Sequence, residues 1–306
     1  MKAFAPGKML LSGAYAVLHG APAVVLAVSR GAVADTRKDA THVSDEVLAA
    51  LAAMGDKSIT APHVSVSALF EGDKKLGLGA SAAGLVAALG ALARLRHDDI
   101  RTKEVRARIF LAARDAHASA QSGGSGVDIA ASVHGGLLVY TLQGEHAEPL
   151  IQPLAYPQDL VVEAFFSGRS ASTKDMRARV DALATREPAR FSQLMSELSR
   201  DARDAHAAML RADVRGFVGA VRAQLYGLSA LGREADAPIV LPAFMDLDGL
   251  AQATAGVFTG SGAGGGDIAL YMGPRPSSHE LRERAIDLGL SSFAFERDAL
   301  GLSSID

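Results

Sequence analysis

Residues Lys75 to Ala83 read KLGLGASAA and run directly into an apolar pattern in which Leu85, Val86, Leu89 and Leu92 recur at helical spacing. Arg94 and Arg96 fall in the expected last turn, where cations complement the helix dipole. The glycines allow a bend that side chains would block. The helix that follows presents its free N–H groups, and the positive end of its dipole, to whatever the loop encloses. Such a loop is either a tight turn before a core helix or a cradle for phosphate. Ser81 adds a hydroxyl at the helix start, suited to a phosphate oxygen or to Mg²⁺.

The rest of the composition narrows the class. A chain of 306 residues suggests two domains, and 49% hydrophobic against 21% charged residues is the balance of a globular protein. The net charge of -3, with no Lys/Arg run, provides no field for nucleic acid, so no such partner is expected. The absence of cysteine excludes disulfides, thiolate zinc sites and cysteine nucleophiles. Pro6, Gly7 and Lys8 interrupt the N-terminus too early for a signal peptide, and no apolar run approaches the roughly 20 residues of a membrane helix. A soluble, cytoplasmic protein with no membrane partner is expected.

In chain order, residues 1–28 predict strand, turn, strand, with Lys8 beside Pro6-Gly7 at the edge of an apolar segment. Ser44 to Met54 predicts a short helix, Val64 to Phe70 a strand, and Thr102 caps a helix whose apolar face holds Val105, Ile109 and Ala113. A lone acid, Asp128, follows the small residues Ser122 to Gly126; it is a helix N-cap or a working carboxylate. His117 reads as a packing or hydrogen-bonding histidine, because no second histidine stands at metal-ligand spacing. The Pro-containing segment Glu148 to Pro157 is the expected domain junction, giving domains 1–156 and 157–306.

Beyond it, Val161 to Phe166 predicts a strand, and Ser172 with Asp175 a capping-box-like helix start. Helices are expected through Phe191, Leu194 and Leu198, and through Phe217, Val221, Leu225 and Leu228. A late glycine-rich run, Gly260 to Asp267, satisfies G-x-G-x-x-G over its first six residues. It is no dinucleotide fingerprint, because it leads into the strand-like Ile268 to Met272 without a βαβ unit around it. Ser277 to Leu288 predicts the last helix and Ser291 to Glu296 the last strand.

Three motifs in this order resemble the GHMP kinase superfamily over nearly the whole chain: Ala5-Pro6-Gly7-Lys8, Gly77-Leu78-Gly79-Ala80-Ser81-Ala82-Ala83 and the run from Gly260 to Asp267, with Ser125-Gly126-Val127-Asp128 between. Within the superfamily the details are similar to phosphomevalonate kinases. These are Ser261 to Asp267, Ala116-His117 with Ala120-Gln121, Ser170-Ala171-Ser172-Thr173, and Gly13-Ala14-Tyr15 where mevalonate kinases usually carry Gly-Glu-His. Two positions depart from the pattern: Ala80 replaces the first serine of the usual pair, and Phe258 stands near where a lysine is common.

The resemblance implies an α+β GHMP kinase fold. An N-terminal ribosomal-protein-like domain (1–156) would bind ATP, the C-terminal domain (157–306) would be ferredoxin-like, and the active site would lie in the cleft between them. It implies ATP and Mg²⁺ as cofactors. The nucleotide would be held by Gly77, Leu78, Gly79, Ala80, Ser81, Ala82 and Ala83 in place of a Walker pattern, which the sequence lacks. Ser81 is the implied metal ligand. Asp128 would accept or orient the acceptor's proton, and Lys8 would offset developing negative charge.

The small-molecule acceptor would be held by Lys8, Tyr15, Ser125, Gly126, Ser170, Ser172, Thr173, Ser261, Gly262, Ala263 and Gly264. The implied activity is ATP-dependent conversion of 5-phosphomevalonate to 5-diphosphomevalonate in the mevalonate pathway to isoprenoids. A mevalonate kinase or another small-alcohol GHMP kinase is the alternative. A catalytically silent ligand-binding homologue is a third, against which the retention of Lys8, Ser81 and Asp128 argues.

Overall fold

A computed structural model describes residues 1–54, 60–121, 123–144, 147–169, 172–297 and 299–305. Strand β1 (Lys2–Ser12) is joined by a 3₁₀ turn to the long β2 (Ala23–Asp39). Helix α1 (Asp45–Met54), β3 (Pro62–Ser65) and the short pair β4 (Phe70–Glu71) and β5 (Lys74–Lys75) lead to α2 (Ala80–Leu95), α3 (Lys103–Gln121) and α4 (Val127–His134). Then come β6 (Leu137–Thr141), β7 (Leu150–Leu154), β8 (Val161–Phe166), α5 (Thr173–Arg186), α6 (Pro188–Leu210), α7 (Val214–Glu234) and α8 (Pro242–Ala251). The chain closes with β9 (Val257–Gly260), β10 (Ile268–Gly273), α9 (His279–Asp287), β11 (Ser291–Phe293) and β12 (Ser303–Ile305).

Two compact units result. One comprises Met1–Met9, Val25–Leu138 and Phe295–Asp306, the other Leu10–Val24 and Val139–Ala294. The chain passes from unit to unit within β1, β2 and β6 and again between Ala294 and Phe295, whereas a reading in sequence order draws a single boundary.

In the first unit, helix α2 is buried without interruption from Ala82 to Ala93, so it is enclosed on all faces. Its many Ala and Gly residues let neighbouring elements approach closely: a Cβ on Gly90 would lie 2.5 Å from Leu302 Cδ1. Leu302 is brought there by the C-terminal segment, which returns to the end of α4. The Leu302 N–H donates to the Val133 carbonyl (3.1 Å) and the Gly136 N–H to the Ala299 carbonyl (2.8 Å). Gly135, at φ +74°, leaves no room for a side chain, because the Gly301 nitrogen stands 2.2 Å from its would-be Cβ. The returning segment ends as β12, antiparallel to β1 with Lys2 opposite Ile305.

Sheet order is β12-β1-β2-β6-β7, with β3 added on β2. The expected last strand at Ser291 to Glu296 shortens to β11 and is not the last. The strand expected over Val64 to Phe70 ends at Ser65 and gives way to a 3₁₀ turn (Ser67–Leu69) that buries Leu69. The segment expected only as a junction holds strand β7.

In the second unit, β11-β8-β10-β9 form an antiparallel sheet. Strands β8 and β10 pair over six positions, from Ile268 opposite Phe166 to Gly273 opposite Val161. Phe165, Phe244, Phe258, Tyr271 and Leu281 form one core cluster, with the Phe165 and Phe258 rings 5.3 Å apart. Phe258 is therefore a fully buried packing residue. Helices α5, α6 and α7 share a second core of Leu183, Leu194, Leu198, Leu228 and Leu231. Helix α8 was not expected from the sequence. It places the buried Asp248 where its Oδ1 accepts the Phe258 N–H (3.1 Å) and its Oδ2 pairs with Arg222 Nε (3.2 Å).

Truncating one partner of a buried pair leaves the other charge uncompensated. Asp248→Ala is expected to destabilise the protein by about 3–5 kcal/mol, read as a shift in the urea midpoint. An unchanged midpoint would remove this pair from the account of the fold.

Candidate active site

The glycine loop is held by the first strand. The Lys8 N–H donates to the Leu78 carbonyl at 2.8 Å, although the two residues are 70 positions apart. The approach is possible only because residue 7 is glycine: a Cβ there would stand 2.8 Å from the Leu78 oxygen, 2.9 Å from Leu69 Cδ2 and 3.0 Å from the Arg30 oxygen. Gly77 and Gly79 both adopt positive φ, +78° and +82°. Gly79 is the N-cap of α2 and has no side chain to cap it. The first helical bond runs from the Ala83 N–H to the Gly79 carbonyl (3.0 Å), so the N–H groups of Ala80, Ser81 and Ala82 lie ahead of it.

Lys8 Nζ donates to the Gly77 carbonyl at 3.3 Å. A Cβ on Gly79 would meet Lys8 Cγ at 3.4 Å, Lys8 Cε at 3.5 Å and Asp128 Cβ at 3.8 Å. The side chains of Lys8 and Asp128 thus border the same glycine.

Asp128 is not an N-cap. Helix α4 is capped by Gly126, whose φ of +77° favours glycine, and Asp128 is the second helical residue. Its Oδ1 accepts the Ile129 N–H at 2.9 Å. The helix dipole favours a carboxylate in this first turn. Its Oδ2 lies 3.8 Å from Nε2 of the buried His117 on α3. Eleven positions of sequence gave no sign of this juxtaposition. Ser125 Oγ accepts the Val127 N–H at 3.4 Å, at the entry to the same helix. Ser81 is half-buried in the first turn of α2. Among the described residues no three His, Asp or Glu side chains gather into a metal cage.

The other expected site residues belong to the second unit. Tyr15, at φ +59°, donates its O–H to the Ala263 carbonyl at 2.7 Å. Burial pushes its phenol well above the ordinary tyrosine range, while Arg177 lowers it and Asp181 raises it. Tyr15 therefore stays a neutral donor at working pH. Ser261 Oγ accepts the Leu10 N–H at 2.9 Å. The glycine run is pinned at several points. The Gly265 N–H donates to the Ile239 carbonyl (3.2 Å), and the Asp267 N–H to the Arg169 carbonyl (2.8 Å). A Cβ on Gly264 would lie 2.1 Å from the Ile239 oxygen, whereas one on Gly262, at φ +97°, would meet open space.

Ser172 caps α5, its Oγ accepting the Asp175 N–H at 3.2 Å, and Thr173 opens that helix exposed. Ser170 lies outside the described residues. Gln224 was missed by the sequence reading. Buried on α7, it accepts the Gly13 N–H through Oε1 (2.8 Å) and donates through Nε2 to Ser12 Oγ (2.9 Å) and the Asp201 carbonyl (3.2 Å). The available signal was a polar residue beside Val221, Leu225 and Leu228 on an apolar helical face.

Residues 45–136 match the family described as "GHMP kinases N terminal domain". The chain is 25% identical to the phosphomevalonate kinase of Streptomyces sp. (strain CL190), over 90% of this chain and 91% of that one. Its fold is similar to that of the Lin0012 protein from Listeria innocua, with a TM-score of 0.81 at 19% identity, covering 99% of each chain. It is also similar to Streptococcus pneumoniae phosphomevalonate kinase in complex with phosphomevalonate and AMPPNP, with a TM-score of 0.76 at 18% identity over 97% of this chain and 99% of that one. These likenesses give the chain the α+β GHMP kinase fold, in agreement with the sequence motifs.

Replacing Gly79 by valine forces an L side chain into the left-handed region, costing about 1–2 kcal/mol, and sets a branched Cβ against Lys8. Gly79→Val is expected to weaken ATP binding at least tenfold in calorimetry while the protein still folds. Wild-type affinity in this variant would contradict a phosphate-binding role for the loop.

Proposed function

We propose that this chain, a kinase of the GHMP superfamily, transfers the γ-phosphoryl group of ATP to the phosphate of 5-phosphomevalonate, giving 5-diphosphomevalonate and ADP in the mevalonate pathway. The observation that carries the reading is the convergence of Lys8 and Asp128 on Gly79, at the uncapped start of α2. The name of the Streptomyces relative, matched along nearly the whole chain, supports the choice of acceptor.

In this reading the N–H groups of Ala80, Ser81 and Ala82, with the dipole of α2, hold ATP phosphate oxygens. An acceptor phosphate oxygen attacks the γ-phosphorus as the bond to the ADP oxygen breaks. Transfer of this kind depends on positioning and on neutralising charge shared among oxygens. Lys8 supplies the cation that holds two mutually repelling phosphates together. Asp128 orients the acceptor, or takes a proton from one that still carries it. Mg²⁺, when bound, would offset the negative charge of the phosphates, and Ser81 is the residue of this chain that would hold it. The half-buried Ser81 hydroxyl fits one position of an ion that usually takes most of its other ligands from phosphate and water.

A coupled ADP-release assay offering mevalonate, phosphomevalonate, sugars and amino alcohols side by side tests the acceptor. Turnover of phosphomevalonate alone is expected. Turnover confined to mevalonate would replace this reading by mevalonate kinase. A phosphate acceptor is already largely ionised near neutral pH, its second pKa being about 6. Lys8→Met is therefore expected to lower kcat more than Asp128→Asn with phosphomevalonate. The reverse order, with Asp128→Asn costing on the order of 10²-fold or more, would point to an alcohol acceptor. Ser81→Ala is expected to shift the Mg²⁺ titration of activity to higher concentration; an unchanged titration would leave Ser81 with no metal role.

A further inference from the structure

We infer that Arg177 is a recognition residue for an oxyanion of the acceptor, a carboxylate or a phosphate, beside Tyr15 and Thr173; the inference rests on the kinase reading above. Arg177 lies in the second turn of α5, one turn beyond Thr173, and is itself half-buried. Its Nε is buried and has no hydrogen-bond partner among the described residues. A buried N–H donor left unmatched carries the cost of its desolvation, so it marks a place where a hydrogen-bond acceptor would be stabilised, and beside a guanidinium an anionic one most of all.

Its neighbours do not supply that anion. Asp181 follows at i+4, a spacing that favours an ion pair, yet it is exposed and no such pair is formed. Both residues act electrostatically on Tyr15. Tyr15 packs in one cluster with Met176 and Val180 of the same helix and with Ala263 of the glycine run, so this part of α5 lies against Tyr15. A planar guanidinium next to a hydroxyl that burial keeps neutral suits a carboxylate or phosphate, which accepts two N–H bonds from the fork. The sequence reading passed over Arg177, although Ser172 and Thr173 were singled out five and four positions before it.

Calorimetry on the full chain tests this, with mevalonate (one carboxylate) and phosphomevalonate (carboxylate and phosphate) as probes and AMPPNP as the control. In Arg177→Met, acceptor affinity is expected to fall about 10- to 100-fold, with AMPPNP affinity and melting temperature unchanged. Arg177→Lys, which keeps charge without the fork, is expected to recover part of the loss. An equal loss with both acceptors assigns the carboxylate, and a loss confined to phosphomevalonate assigns the phosphate. Unchanged acceptor affinity in Arg177→Met overturns the inference and leaves the kinase reading standing. Wild-type protein that binds neither acceptor overturns the proposed acceptor and this inference with it. If Arg177→Met does not fold, full acceptor affinity in Arg177→Lys overturns the role of the fork.

Discussion

A backbone hydrogen bond from Lys8 to the Leu78 carbonyl ties the first strand to the glycine loop, and the candidate active site of the first unit depends on it. Gly7 makes the bond possible, since any side chain would strike the Leu78 oxygen. The same contact delivers Lys8 to the loop, where its ammonium donates to the Gly77 carbonyl. It also leaves Gly79 at the start of α2 with its helix N–H groups uncapped by any side chain. Helix α2 is enclosed along nearly its whole length, so its N-terminus is presented from a rigid element. Asp128 is presented in the same manner, from the first turn of α4 behind the left-handed Gly126.

The second unit repeats the principle with different parts. A dense glycine run would be mobile if unattached, but backbone bonds to Ile239 and Arg169 fix it, and bonds donated by Leu10 to Ser261 and by Tyr15 to Ala263 tie it to residues early in the chain. Gln224 holds Ser12 and Gly13 with one hydrogen bond each and the Asp201 carbonyl with a third. A buried amide with its polar atoms matched specifies one geometry, and half-matched it would be costly. Arg177 is the contrasting case within the same unit: its Nε is buried and unmatched among the described residues. That difference separates a group that builds the fold from one placed to receive a ligand.

Much of this was legible in the sequence. The helix after the glycine loop, the Ser172 cap and the strand that follows the late glycine run come from periodicity, cap chemistry and turn residues, which are local. What escaped was set by tertiary contact. Strand β12 is three residues long and carries no periodic signal; it exists because Gly135 and Gly301 allow the C-terminal segment to pack on the end of α4. Helix α8 is short, and the acid on its buried face looks like an error until Arg222 is seen beside it. Asp128 was readable as a cap because small residues precede it, but capping went to Gly126, whose backbone takes the left-handed turn more readily. No pattern in one sequence places His117 beside Asp128 or Gln224 beside Gly13.

The central claim is that ATP phosphates bind the uncapped start of α2, within reach of Lys8. Amide chemical shifts of ¹⁵N-labelled protein titrated with AMPPNP and Mg²⁺ test it most directly, because they locate the nucleotide without requiring turnover. The account predicts that the largest shifts fall on Gly77, Gly79, Ser81 and Ala82, and that in Gly79→Val at least about tenfold more AMPPNP is needed to reach them. Saturable AMPPNP binding that leaves these amides unmoved would contradict it.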